Sequence, residues 1–176
     1  MKNKNKVAQF EKVSREQFFQ DFISEFPIEE MEEEQIDAIQ RVYDWIILPS
    51  RSTTESAGYD FCTPFAFILQ PGESVKIPTG IRCKIDNGWV LQIYPRSSVG
   101  FKYQIQLANT VGIIDSDYYN SNNEGHIWVK LVNRGDKEFS AVSGDRICQG
   151  LFVPYGVTYD DNSEKIRTGG IGSTGK

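Results

Sequence analysis

From Pro49 to the C-terminus, short apolar segments alternate with turn-forming residues, and this texture restricts most of the chain to an all-β arrangement. Ile81, Cys83 and Ile85 alternate with Arg82 and Lys84, as in a strand with one wet face. Asn87-Gly88 follows, a dipeptide suited to the positive φ angles of a two-residue hairpin, and leads into an apolar run from Trp89 to Tyr94. Phe65 to Leu69 is another predicted strand, after which Pro71-Gly72 turns the chain into Ser74 to Ile77. Ile127, Val129 and Leu131 repeat the alternation, and Ile147 to Val153 closes the series. Short strands with regular turns predict a mainly β subunit, a sandwich or barrel of jelly-roll type.

The N-terminal part reads differently. Val7 to Val13 fits a first strand, and Ser14-Arg15-Glu16-Gln17 fits a capping box, in which serine and glutamine side chains satisfy opposite backbone N–H groups. Phe18, Phe22 and Phe26 recur every four residues beside Phe19 and Ile23, which predicts an amphipathic helix ending near Pro27. Ile28, Met31, Ile36, Ile39, Val42, Tyr43 and Ile46 predict a second helix, with the acidic run Glu29 to Glu34 in its first turns. Carboxylates there favour the positive helix end by roughly 0.3–1 kcal/mol each. At 176 residues the chain suits one domain. Its expected parts are two added helices within 14–46, a β core over 47–166 and a mobile glycine-rich arm over 167–176.

Composition excludes several classes. A net charge of −5 argues against a nucleic-acid partner, which calls for a basic stripe. No apolar run approaches a membrane span, and residues 1–6 lack the hydrophobic segment of a signal peptide. Cys62, Cys83 and Cys148 have neither CxxC spacing nor a histidine nearby in sequence, so they are expected to be small buried residues of a reducing cytoplasm.

Five polar clusters stand out against the β pattern: Ala57-Gly58-Tyr59-Asp60, Pro95-Arg96-Ser97-Ser98, Gly112-Ile113-Ile114-Asp115-Ser116-Asp117-Tyr118, Gly144-Asp145-Arg146-Ile147-Cys148-Gln149, and Arg167-Thr168-Gly169-Gly170-Ile171-Gly172-Ser173-Thr174-Gly175. If the third cluster is extended, Asp115 and Asp117 point to one face, a pair suited to a metal, an activated water or a polar ligand. The plain alternative is a polar turn capped by Asp117. Arg96 with its two serines, and the tail with Arg167, carry phosphate-binding chemistry, because guanidinium forks match phosphate oxygens and glycines let backbone N–H groups approach them. Neither is a Walker sequence.

In this order the clusters resemble the five motifs of the trimeric dUTP diphosphatase (dUTPase) family, over about Ile47 to Gly175. The resemblance implies a jelly-roll-like subunit, a homotrimer with shared active sites, a magnesium ion, and hydrolysis of dUTP to dUMP and pyrophosphate. Carried onto matching positions, Asp115 would hold and deprotonate the attacking water, and Gln149 would contact the α-phosphate or that water. Asp60 would help place the magnesium hydration shell, so that no side chain binds the metal directly. Arg96, Ser97 and Ser98 would hold phosphate oxygens. Asn109 and the backbone from Gly112 to Ile114 would read the uracil edge, and Tyr118 would pack on the deoxyribose and exclude a 2′-hydroxyl. Arg167, Ile171, Gly172, Ser173 and Thr174 would close over the nucleotide as the arm.

Three departures from the family pattern stand out. Ile171 replaces the phenylalanine that stacks on the base, leaving Tyr119, Trp128 and Phe101 as aromatic substitutes. Residues 119–123 lengthen the loop after Tyr118, with His126, the only histidine, at its far end, where a surface or interface position is expected. The helices of 14–46 are expected to be an added surface or trimer-edge element, offering a face to a protein partner. The related dCTP deaminases share the fold but carry a catalytic glutamate where Lys130 stands here, which disfavours deamination. A regulatory protein on the same scaffold is the alternative of a different class.

Overall fold

The computed structural model describes residues 6–164 together with Arg167 and Gly169. Strand β1 (Ala8–Lys12) opens the chain, followed by helices α1 (Arg15–Glu25) and α2 (Glu33–Asp44). The strands β2 (Ser50–Arg51), β3 (Tyr59–Cys62), β4 (Phe67–Leu69), β5 (Ser74–Pro78), β6 (Ile81–Ile85) and β7 (Trp89–Pro95) come next. A short helix α3 (Ser97–Tyr103) precedes β8 (Ile105–Leu107) and β9 (Gly112–Ile114). A 3-10 turn, Ser116–Asn120, then leads to β10 (Trp128–Asn133), β11 (Phe139–Ala141) and β12 (Arg146–Pro154). The fold is mostly β, as the sequence pattern requires, and jelly-roll-like.

All pairings are antiparallel. The largest sheet has the order β2-β3-β12-β7-β9, and smaller ones pair β5-β10-β8, β11-β4 and β1-β6. In the large sheet, Gln149 lies opposite both Asp60 of β3 and Tyr94 of β7, which sets three motif-bearing segments side by side. Gly150 is required next to it: a Cβ there would come within 2.8 Å of Leu91 Cδ1 and 3.0 Å of Phe61. Phe61, Leu91, Ile93, Ile105, Ile127, Leu131 and Ile147 form the fully buried centre.

The inserted helices are part of this core rather than an added surface. Phe18 of α1 is fully buried, a contribution of about 1.5–3 kcal/mol for one aromatic side chain. Phe22 and Phe26 pack edge-on against Phe65, with centroids 5.5 and 5.3 Å away. Gly80 allows this approach, since a Cβ on it would lie 2.2 Å from Ile46 Cδ1, and its φ of +72° favours glycine. Only the end of the acidic run lies in a helical turn as expected: α2 starts at Glu33, so Glu33 and Glu34 occupy its first turn, and the Gln35 side chain accepts from the Glu32 N–H at 2.9 Å. Only half of the Ser14 capping box forms. The Ser14 hydroxyl accepts from the Gln17 N–H, but the Ser14 N–H donates to Glu124, 110 residues away, at 2.8 Å.

Two of the cysteines are buried and Cys62 is half-buried; all three thiols are free, and burial pushes Cys83 up to about 12. Among the described residues, no helix is long and apolar enough to cross a membrane.

Candidate active site

The polar clusters assemble around two separate concavities. In the first, a cavity of about 320 Å³, Gly58 and Asp60 of β3, Arg96, the first two residues of α3 (Ser97, Ser98) and Gln149 of β12 share the lining with Ser52 and Ser56. Asp60 does not face open solvent: Oδ1 accepts from Arg96 Nε at 2.9 Å, and Oδ2 accepts from Ser52 Oγ at 2.8 Å and Arg146 Nη1 at 3.3 Å. Two guanidinium groups thus clasp one carboxylate. Held through Nε, Arg96 keeps its terminal N–H groups for an anion. Arg146 and Ser52 were not foreseen as members of this site; the placement of Arg146 beside Gln149 in the fourth cluster was the available signal.

Gln149 Nε2 donates to the Pro95 carbonyl at 3.2 Å, which turns Oε1 toward Gly58. A Cβ on Gly58 would lie 2.6 Å from that oxygen. The oxygen ends a flexible side chain, so Gly58→Ala should displace Gln149 at little cost to folding. The expected result is a melting temperature within a few degrees of the parent and turnover lowered about tenfold or more, measured by thermal denaturation and steady-state kinetics.

The second cavity, also about 320 Å³, is lined by Asn109, Gly112, Ile93, Leu107, Lys76, Trp128 and Lys130. The turn before it is strained. Val111 N–H donates to the Asn109 carbonyl at 2.7 Å around Thr110, whose φ of 67° is rare for a β-branched residue. Gly112 pairs with Ile93 across β9 and β7; a Cβ on it would stand 3.1 Å from Ile93 Cβ, a tight contact that a larger residue would meet only by a shift of a few tenths of an ångström.

Beyond β9 the extended run ends. Ile114 is buried, and Asp115 takes the position before the 3-10 turn, so strand alternation does not bring the two carboxylates together. The N-cap of that turn is Asp115, whose side chain makes no capping hydrogen bond, and not Asp117. They converge instead on a guanidinium: Arg167 Nη1 donates to Asp115 Oδ2 at 2.9 Å and to Asp117 Oδ1 at 3.3 Å. The same guanidinium lies 5.1 Å from the Tyr118 ring centroid. Tyr118 is almost wholly buried; its hydroxyl donates to the His126 carbonyl at 2.7 Å and accepts from Asn123 Nδ2 at 2.9 Å. Burial pushes this phenol's pKa above its ordinary value, the Asn123 contact opposing it, so it stays a donor. Ile171, Gly172, Ser173 and Thr174 lie outside the described residues.

His126 is not at the surface. It is fully buried, with Nε2 accepting from the Gly80 N–H at 2.7 Å and Nδ1 2.5 Å from Asp21 Oδ2. Since Nε2 must accept, Nδ1 carries the proton and donates to the carboxylate.

Among the described residues, no three histidine, cysteine or carboxylate side chains gather as metal ligands. Of the described carboxylates in the clusters, Asp60 is taken up by guanidinium groups, while Asp115 and Asp117 are half exposed.

A β subunit with an Arg-Ser-Ser-Gln pocket, a largely apolar cavity edged by the Asn109 amide, and a carboxylate pair just after β9 has the parts for holding a nucleoside polyphosphate. The dUTPase family model matches residues 44–175. The chain is 46% identical over 133 residues to the deoxyuridine 5′-triphosphate nucleotidohydrolase of Lactococcus lactis, covering 74% of this chain and 89% of that one. The dUTPase crystal structure from Streptococcus mutans superposes with a TM-score of 0.59 at 38% identity, over 65% of this chain and 90% of that chain. A dUTPase from phage phi11 of S. aureus, described with a coordinated structural Mg(II) ion, shares the fold at a TM-score of 0.58 and 20% identity, over 71% and 94% of the two chains. The chain belongs to the dUTPase family.

Proposed function

We propose that this chain hydrolyses dUTP to dUMP and pyrophosphate by attack of an Asp115-activated water on the α-phosphorus, in sites shared within a homotrimer. Asp115 is a half-exposed carboxylate at a strand end, open to a water and to a phosphorus beyond it. The wall for the triphosphate is Arg96, Ser97 and Ser98, with Gln149 reaching the α-phosphate or the water. Asn109 and the backbone of Gly112 to Ile114 read the uracil edge, and Tyr118 packs on the deoxyribose. Asp60 acts chiefly by holding Arg96 and Arg146 in place.

Magnesium would be held by triphosphate oxygens and water, with Asp60 at most at its hydration shell. When bound it neutralises phosphate charge and polarises the reacting phosphoryl group. The chain's own share is positioning and charge stabilisation, the main source of catalysis in phosphoanhydride cleavage.

The observation that supports the trimer is apolar surface left open near the two cavities. Ile113, beside the base cavity, is 52% exposed and Phe101, on α3, is 91% exposed, as residues awaiting a copy would be.

The test is pyrophosphate release from dUTP, dCTP, dTTP and UTP, with magnesium and then with EDTA, on protein whose mass is read by sedimentation. Release from dUTP alone, abolished by EDTA, in a species of three chains is the expected result. No release from dUTP by a folded trimer would move the reading to a regulatory scaffold.

A further inference from the structure

We propose that the inserted helix α1 is a specificity element of the nucleoside pocket, in which Asp21 positions the sugar wall and Glu25 the base wall. This rests on the dUTP reading above and extends it to residues outside the five motifs.

Asp21 and Glu25 are one turn apart and so project from the same face of the helix. Each reaches a different wall. Asp21 Oδ2 accepts from His126 Nδ1, and the carbonyl of His126 accepts the Tyr118 hydroxyl at 2.7 Å. The imidazole is closed on its other side by the Gly80 N–H, so the ring is held at both nitrogens, which anchors the residue whose carbonyl receives Tyr118. Glu25 Oε2 accepts from Lys76 Nζ at 2.9 Å, and that ammonium lies 4.0 Å from the Trp128 ring centroid. Lys76 and Trp128 both line the cavity with Asn109 and Gly112. The two arms of the device meet, since the His126 and Trp128 rings are 5.3 Å apart.

The segment just after the lengthened loop and the inserted helices are locked together at the start of α1. Glu124 accepts from both the N–H and the hydroxyl of Ser14, at 2.8 and 2.7 Å. Burial acts to raise the Glu124 pKa, but the two Ser14 bonds and Arg82 hold it below its ordinary value. Glu124 is therefore a carboxylate clamp at neutral pH. Trp128, fixed by Lys76, is then the aromatic wall of the base cavity in a chain whose tail carries Ile171. Asp21 and Glu25 touch no nucleotide; they are positioning residues.

The experiment measures kcat and KM for dUTP and UTP in the full-length protein and in Asp21→Ala, Asp21→Asn, Glu25→Ala and Glu25→Gln. With Asp21→Ala, the dUTP-over-UTP preference in kcat/KM should fall about tenfold or more, as Tyr118 loses its fixed position against a 2′-hydroxyl. Asp21→Asn should restore most of it, because its amide oxygen still accepts from Nδ1. Glu25→Ala should raise KM for dUTP severalfold with kcat within about twofold, and Glu25→Gln should recover part of the loss. Glu25 lies at the end of α1 and leaves the core intact, so its pair decides the question if Asp21→Ala does not fold. Parent-like selectivity and KM in every folded variant would overturn the proposal while leaving the catalytic reading in place. A parent protein that releases no pyrophosphate from dUTP would overturn both.

Discussion

Asp115→Asn is expected to lower kcat for dUTP by at least roughly a hundredfold, as for loss of a general base, while folding and dUMP binding stay close to those of the parent. The side chain is 54% exposed and its hydrogen-bonding partner is Arg167, a contact that the amide oxygen of asparagine can still accept. The substitution therefore removes basicity and charge without opening a cavity. Stopped-flow or steady-state release of pyrophosphate, beside a thermal melt and dUMP titration, separates these outcomes. Turnover near that of the parent would take the proton-accepting role away from Asp115. Asp117 would then be the next candidate, since it shares the same guanidinium at 3.3 Å.

The strands that place the site were legible because their burial repeats along the chain. Ile81, Cys83 and Ile85 are all buried on one face of β6, as alternation requires, and the Asn87-Gly88 turn joins β6 to β7 with Gly88 at φ +84°. The shorter elements left no such trace. Helix α3 has seven residues and one buried apolar side chain, Val99, too few for a 3.6-residue period to register. Strands β8, β9 and β11 have three residues each, below the length at which alternation differs from chance. The approach of Asp115 and Asp117 was anticipated, but for the wrong reason. A 3-10 turn and a cation from the tail bring them together, and strand pleating plays no part.

The contacts between α1 and the segment after the lengthened loop span 110 residues from Ser14 to Glu124 and 105 from Asp21 to His126. No local pattern encodes such pairs. A lone histidine in a polar loop reads as exposed, and only the tertiary fold supplies the buried N–H of Gly80 and the carboxylate that make it a core residue. Phe18 was legible as apolar but not as central: a helix face can cover a core from outside or enter it, and the missing side chain at Gly80 decides for entry. The motif residues themselves were readable as chemistry, whereas Asp60 as a clasp for Arg96 and Arg146 depended on β3 and β12 being neighbours.

Arg167→Ala is expected to remove nearly all dUTP turnover, a fall of at least roughly a hundredfold, as for loss of a charge-stabilising group in the transition state. This guanidinium donates to Oδ2 of Asp115, the carboxylate proposed to take a proton from water. Two half-exposed carboxylates hold it only modestly, since solvent screens such pairs. A multiply charged triphosphate is the stronger partner, and a guanidinium fork matches its oxygens. On the proposed mechanism, substrate is expected to draw Arg167 from the base to the phosphates, which would both stabilise the leaving charge and free Asp115. dUMP, which lacks the β- and γ-phosphates, should bind the variant almost as it binds the parent. Arg167→Lys should recover little, because a single ammonium offers a point charge without the planar fork. The measurement is kcat and KM for dUTP with a dUMP dissociation constant on each variant, and sedimentation to verify assembly. Parent-like kcat in Arg167→Ala would show that Asp115 works without this exchange of partners and that the tail cation is dispensable.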